Sequence, residues 1–397
     1  MDSLTTCMET IPYSRQWIDE EDVEAVCRVL RSDWVTQGPT LASFENALAK
    51  RAGVKRAVAV SHGTAALHLS YAALGVEKGS VGITTPITFA ATANAFRYCG
   101  AEVRFCDVDP LTGNMDPASL SQVIEETSLD RDKTNLVVPV SYAGRLAPLD
   151  KIEEVATKAG CQVVEDAAHS LGSYGQGGMG ASASCENSVS AVLSFHPVKH
   201  LCTAEGGAVV TNDDALAERM SCLRSHGISR SSIEGESSTT MPGWHYEQKE
   251  LGWNYRMTDL QAALGLGQLD KLDFFLERRR ALASRYGEAL AQAPFSEFLD
   301  LPPSEEGHAH HLYVVLFKDP ALRDSCYEFL KKRGIHCQVH YIPVYRHPYY
   351  EGILGRQRLP GAESFFSRCL SIPLFPKMTD EEQERVLEEL AAFHGAA

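Results

Sequence analysis

SFHPVKHLCTAEGGAVVTND, residues 194–213, reads as buried core interrupted by one cation. Ala191-Val192-Leu193 runs into this stretch, and a Gly-Gly-Ala-Val-Val strand closes it, with Lys199 between the two. Desolvating an ammonium is costly, and lysine is among the residues least often buried. Lys199 therefore either snorkels to solvent or serves as an amine whose proton is easily lost.

Outward from this stretch, short Val-rich runs alternate with helix-length segments. AVAVS (57–61) precedes GTAALHLSYAAL, VGITT precedes FAATANAFRY, and VRFCDV follows. LVVPVS precedes LDKIEEVATKAG; then come CQVVED, AVLSFH, and GGAVVT before DALAERMSCLR. This alternation predicts an α/β domain around a mostly parallel sheet, here residues 1–270. This domain includes an N-terminal helical segment ahead of the first strand, with one helix expected over 19–31 and a second from near Thr40 to Gly53. From about Thr258 a long helical stretch leads away. HLYVVLF, a helix ending at Arg333-Gly334, IHCQVH and a final helix opened by the capping box Thr379-x-x-Glu382 follow. Residues 271–397 read as a smaller α+β domain.

The 397 residues carry 44% hydrophobic and 22% charged side chains, an ordinary composition for a folded globular protein. A formal net charge of -15 disfavours nucleic-acid or anionic-membrane partners. The eleven cysteines are scattered singly with no C-x-x-C pair, which suits a reducing cytoplasm. The N-terminus has neither the basic nor the apolar region of a signal peptide, and no apolar run suggests a membrane span.

Three features invite over-reading. GQGGMG (175–180) matches the dinucleotide fingerprint, but a polar stretch precedes it and a poor helix follows, so it reads as a surface loop. HAHH (308–311) resembles a metal tract, yet it borders a strand whose alternation would send His310 and His311 to opposite faces, and no paired Cys or Glu is near. RRR (278–280) reads as one solvated turn of the long helix.

Four other features sit at strand ends. SHGTAAL (61–67) hands a strand over to a helix; Gly63 permits close approach, Thr64 offers a hydroxyl, and the first helical N–H groups lack internal partners, so it binds a phosphate or is an ordinary N-cap. Asp166 in EDAAHS ends a buried strand where α/β sheets bind ligands, and it reads equally as a helix cap or ion-pair partner. Phe89 in TPITFAATANA follows another strand end and, by itself, fits the core. Lys199 is the fourth. Together these are the elements that pyridoxal phosphate needs: a phosphate cradle, an acid for the pyridine nitrogen, an aromatic on the ring, and a lysine for the aldehyde. A lysine in that task must lose its proton near neutrality, which burial promotes.

The motifs TQGP, SHGTAALH, TTPITFAATANA, EDAAHSLGS, SFHPVKHLCTAEGGAVVTND, RSHGI and NYRMTDLQAALG also carry a resemblance that runs nearly end to end. The chain resembles the fold-type I, sugar-modifying aminotransferases of the DegT/DnrJ/EryC1/StrS family. IPYSRQWI, SYAGRLAPLD, FHPVKH and RGIHCQVHYIPVY are similar to the members acting in pseudaminic acid synthesis. The resemblance implies that Lys199 is the Schiff-base lysine and Asp166 the partner of the pyridine nitrogen. It implies that Phe89 stacks on the ring, that His169 lies near the phenolic oxygen, and that Gly63, Thr64, Ala65 and Ser194 surround the phosphate. Asn254 would come from the other subunit of a homodimer with shared active sites. Tyr13, Asp33-Trp34-Val35-Thr36 and Gln338-Val339-His340-Tyr341 would line a nucleotide-sugar pocket. His62 replaces a small residue of many relatives and would crowd the cradle, and the loop 171–187 is long. The implied reaction passes the amino group of L-glutamate to the C4 ketone of UDP-2-acetamido-2,6-dideoxy-β-L-arabino-hexos-4-ulose, with no metal. The alternatives are another nucleotide-linked 4-keto sugar, dTDP-linked or D-configured, and a non-catalytic nucleotide-sugar-binding member of the fold.

Overall fold

The computed structural model describes residues 10–175, 180–229 and 244–396. Seven strands form the central sheet: β1 (Arg56–Val60), β2 (Val81–Thr84), β3 (Glu102–Phe105), β4 (Leu136–Val138), β5 (Gln162–Asp166), β6 (Ser190–Ser194) and β7 (Gly207–Thr211). Their order is β1-β7-β6-β5-β4-β2-β3, and all neighbours are parallel except β7, which runs against both β1 and β6. Two reversals restore the direction, so the C-terminal ends of β1, β6, β5, β4 and β2 share one edge. That edge is where open α/β sheets hold ligands. This is the α/β domain around a mostly parallel sheet expected from the alternation, and the fold-type I architecture that the resemblance implies.

Helices α1 (Glu20–Leu30), α2 (Pro39–Ala52), α3 (Gly63–Ala73), α4 (Ala91–Tyr98), α5 (Pro117–Glu126), α6 (Leu149–Lys158) and α7 (Asp214–Arg224) surround this sheet. Asp19 and Asp22 cap α1 reciprocally, and Gly53 ends α2 in the left-handed conformation that glycine tolerates. Val58, Val60, Val164, Val192 and Val209 pack on one face of the sheet with Leu67, Leu69 and Tyr71 of α3. On the other face Ala57, Ala59, Ala191, Leu193 and Val210 meet Phe44 and Leu48 of α2. Burial on both faces explains why these strands are apolar throughout rather than alternating.

The long helical stretch after Thr258 is two helices, α8 (Asp259–Asp270) and α9 (Leu272–Leu290), broken at Lys271. The Lys271 ammonium bonds Asp19 and Asp22 at 2.7 and 2.6 Å, tying the break to α1. After a two-residue ribbon of β8 (Ile228–Ser229) and β9 (Glu247–Gln248), the remaining strands make a separate antiparallel sheet. It has the order β10 (Leu299–Asp300), β11 (Tyr313–Phe317), β12 (Cys369–Ile372). Helices Ala321–Lys332 and Asp380–Ala396 pack around it, and the capping box of the last helix forms as read, Thr379 with Glu382. Ile11 pairs with Ile335 and joins this second core, so the first described residues sit with the C-terminal sheet rather than with the helices that follow them.

The expectation for RRR is corrected. Arg279 is 1% exposed, and Nη1 donates to the carbonyls of His310, His311 and Leu374 at 3.1, 3.3 and 3.2 Å. It falls on the buried face of α9, at helical spacing from Phe275, Leu276, Leu282 and Tyr286. Arg280 bonds the carbonyls of His308 and Gly172, and Arg278 bonds the Met378 carbonyl and pairs with Asp380; both are half-buried. Of GQGGMG, residues 176–179 lie outside the described residues; Tyr174 and Ala181 bridge its ends, and no helix follows.

Candidate active site

Lys199 stands in the loop from β6 to β7, in a turn closed by its own N–H to the His196 carbonyl at 2.9 Å. Desolvation lowers its amine to about 7, with Asp166 partly offsetting the shift. The shift runs in the direction the sequence reading expects of an amine that must lose its proton. His169, His196, His200, His311 and His340 all feel its positive charge.

Asp166 closes β5 with its carboxylate 4% exposed. Oδ2 accepts from the Thr92 hydroxyl at 2.8 Å and Oδ1 from the Ala168 N–H at 3.2 Å. Burial raises its pKa; these two donors and the Lys199 charge oppose the rise. Glu165, one residue earlier, points to the opposite face, where Ser141 and Ala183 bind its carboxylate at 2.8 and 2.9 Å. Strand alternation sends the two acids to opposite faces.

At the cradle, Val60, Gly207 and Ser194 lie in register across β1, β7 and β6. A Cβ on Gly63 would come within 3.1 Å of the Ser194 Cβ and Oγ, and one on Gly207 within 2.8 Å of the Gly63 nitrogen. The two glycines keep this strand-to-helix turn tight. His62 does not crowd it: its Nδ1 accepts the Ala65 N–H at 3.0 Å and serves as the N-cap of α3. That leaves the N–H groups of Gly63 and Thr64, the first in the helix, with no carbonyl inside it to bond.

Phe89 is 63% exposed, so it is no core residue, and its ring lies 6.3 Å from that of Tyr341. Tyr341 approaches His169 Nε2 at 3.2 Å, and Tyr13 packs on His340 at 5.4 Å. These residues converge from both halves of the chain. Other expected pocket residues do not join them here. Gln338 pairs with Ser371 and Val339 packs into the apolar cores. Asp33, Trp34, Val35 and Thr36 are exposed and meet α8, through the Thr36–Thr258 bridge and the Asp259 N–H on the Val35 carbonyl. Asn254 is exposed beside Ser225.

Sequence reasoning missed Thr92, His200 and His311. His311 is 2% exposed with its ring 4.3 Å from that of His169 and 5.6 Å from that of His200. HAHH is therefore split: His308 and His310 stack on each other at 3.9 Å, while His311 turns to the Lys199 cluster. The division comes from a left-handed His310, not from strand alternation. Among the described residues, no group of three or more His, Cys, Asp or Glu is placed to hold a metal ion.

The residues fit pyridoxal phosphate. Two glycines hold open an anion cradle at a helix start, a buried carboxylate and a low-pKa amine share the adjoining strand ends, and an exposed aromatic flanks them.

Comparison with known proteins agrees. The DegT/DnrJ/EryC1/StrS aminotransferase family matches residues 16–391. Spore coat polysaccharide biosynthesis protein SpsC of Bacillus subtilis is 37% identical over 95% of both chains. A UDP-4-amino-4,6-dideoxy-N-acetyl-beta-L-altrosamine transaminase of Campylobacter jejuni is 35% identical over 96% of both. Helicobacter pylori PseC, an aminotransferase involved in the biosynthesis of pseudoaminic acid, superposes with a TM-score of 0.86 at 30% identity, covering 98% of this chain and 100% of its own.

Proposed function

Because the chain belongs to the DegT/DnrJ/EryC1/StrS aminotransferase family, whose enzymes are pyridoxal phosphate-dependent sugar aminotransferases, we propose that it aminates the C4 ketone of UDP-2-acetamido-2,6-dideoxy-β-L-arabino-hexos-4-ulose. L-Glutamate gives the amino group and leaves as 2-oxoglutarate; the keto sugar leaves as UDP-4-amino-4,6-dideoxy-N-acetyl-β-L-altrosamine. The Campylobacter relative's name and the Helicobacter neighbour support this choice of sugar. The observation that carries the chemistry is the placement of Lys199 after β6, Asp166 at the end of the neighbouring β5 and the tight Gly63 turn at one edge of the sheet, with burial lowering the lysine amine.

When bound, pyridoxal phosphate supplies the electron sink for the reacting carbon and stores the amino group between half-reactions. Lys199, as a free amine, would move a proton between the substrate carbon and the cofactor C4′, in opposite directions in the two half-reactions, the work of a general base and acid with a pKa near the operating pH. Asp166, oriented by Thr92 and Ala168, would pair with the ring nitrogen and keep it protonated. The Gly63 and Thr64 N–H groups and the Ser194 hydroxyl hold the phosphate, with Ala65 supplying a small residue in the same turn. Phe89, exposed at this edge, would cover one face of the ring. Tyr13 and the 338–341 segment border the sugar. In this reading Asp33–Thr36 line the nucleotide-sugar pocket and the exposed Asn254 completes the site of a neighbouring subunit, in a homodimer working in a reducing cytoplasm. The ten described cysteines, all free, suit that setting.

The test is incubation with L-glutamate and a panel of UDP- and dTDP-linked 4-keto sugars, with the product identified by NMR. The reading expects a 4-amino sugar from the β-L-configured UDP ketone. Amination confined to a D-configured or dTDP-linked ketone would transfer the chain to a sister activity, and none at all would favour a binding member.

A further inference from the structure

His169 is 3% exposed, and the protein engages both of its ring nitrogens. The Ala143 N–H donates to Nδ1 at 3.3 Å, and the Tyr341 hydroxyl lies 3.2 Å from Nε2. A backbone amide only donates, so Nδ1 carries a lone pair. Burial and the charges of Lys199 and its neighbours hold the ring well toward its neutral form. A neutral imidazole has one N–H, and the partners assign it to Nε2. That hydrogen goes to the Tyr341 oxygen.

Two consequences follow for hydrogen bonding to a ligand. His169 has no N–H left to offer. Tyr341 accepts from His169, so its own hydrogen is unspent, and burial keeps the phenol protonated. His311 packs against the His169 ring with centroids 4.3 Å apart, and the carbonyls flanking it are gripped by the buried Arg279. The imidazole is thus fixed from behind while Tyr341 stands beside the exposed Phe89 ring.

We propose that Tyr341, and not His169, donates the hydrogen bond to the phenolic oxygen of the bound pyridoxal phosphate, and that His169 is a positioning residue acting through Tyr341. The proposal rests on the reading of the Lys199 cleft as the cofactor site.

Two measurements test it. In the apoprotein, long-range spectra of ¹⁵N-labelled histidine should show a pyridine-type Nδ1 and a pyrrole-type Nε2 for the signal lost in His169→Gln; a protonated Nδ1 overturns the assignment. In the holoenzyme, Tyr341→Phe should raise the pH midpoint of the cofactor's absorbance change by about 1–2 units, the worth of a hydrogen bond to a charged oxygen. His169→Gln should move it the same way, and the double variant no further than Tyr341→Phe alone. An unchanged midpoint in Tyr341→Phe, or additive shifts, overturns the proposal, and Tyr341→Phe decides alone if the histidine variant does not fold. Absence of cofactor on Lys199 after borohydride reduction would instead sink the cofactor reading, a result distinct from either of these.

Discussion

The Thr92 hydroxyl donates to Asp166 Oδ2 at 2.8 Å, joining the first turn of α4 to the end of β5. Burial raises the Asp166 pKa, and this bond is the largest effect opposing it. Asp166→Asn should retain cofactor yet lose about 10²–10³ in kcat, as expected when a preorganised charge is removed from a desolvated site. Thr92→Val should cost less, but it removes a donor that favours the carboxylate, so the acid limb of the kcat–pH profile should move to higher pH. A Thr92→Val profile displaced toward acid would contradict the electrostatic role.

Lys199 supplies the second prediction. With the amine lowered to about 7, apoprotein at pH 8 holds it mostly as free base. The rate of pyridoxal phosphate capture should rise through neutrality and level off above about pH 8, whereas an ordinary lysine near 10.4 would keep gaining tenfold per unit. Borohydride reduction followed by peptide mapping should label Lys199, and Lys199→Arg should take no label. A capture rate still climbing at pH 9, or a label on another lysine, would count against the assignment.

Arg279 is a buried cation whose described bonds run to three backbone carbonyls. Arg279→Met should destabilise the apoprotein by about 3 kcal/mol or more in urea titration, because each buried carbonyl left without a donor costs about 1–3 kcal/mol. Arg278→Ala breaks an exposed pair with Asp380 and should stay within about 1 kcal/mol. Equal losses in the two variants would show that Arg279 is not the clasp between α9 and the His308–His311 segment.

The shared-site reading makes Asn254 testable by complementation. Lys199→Ala mixed with an Asn254 variant defective in cofactor binding should regain activity on subunit exchange, because each heterodimer then holds one site with both lesions and one with neither. Heterodimers that form without recovering activity would confine Asn254 to its own chain.

Alternating Val-rich and helical segments determined the sheet and its helices, because burial on both faces leaves a local signature in each strand. The same logic marked Lys199 as a cation in an apolar setting, and the capping box at Thr379 and Glu382 as a helix start. These signals are contained in a few consecutive residues. Only the tertiary structure decided what the polar groups do. Asp166 and Glu165 are adjacent acids in sequence, and Thr92 and Ser141, from different segments, distinguish their roles. Arg279 reads as part of a solvated run until the carbonyls of His310, His311 and Leu374 converge on it. His62 reads as an obstruction until its ring accepts the Ala65 N–H, and His311 as part of a tract until it reaches His169. The physical reason is that hydrophobic periodicity is local, whereas the cost of burying a hydrogen-bonding or charged group depends on partners that arrive from distant parts of the chain.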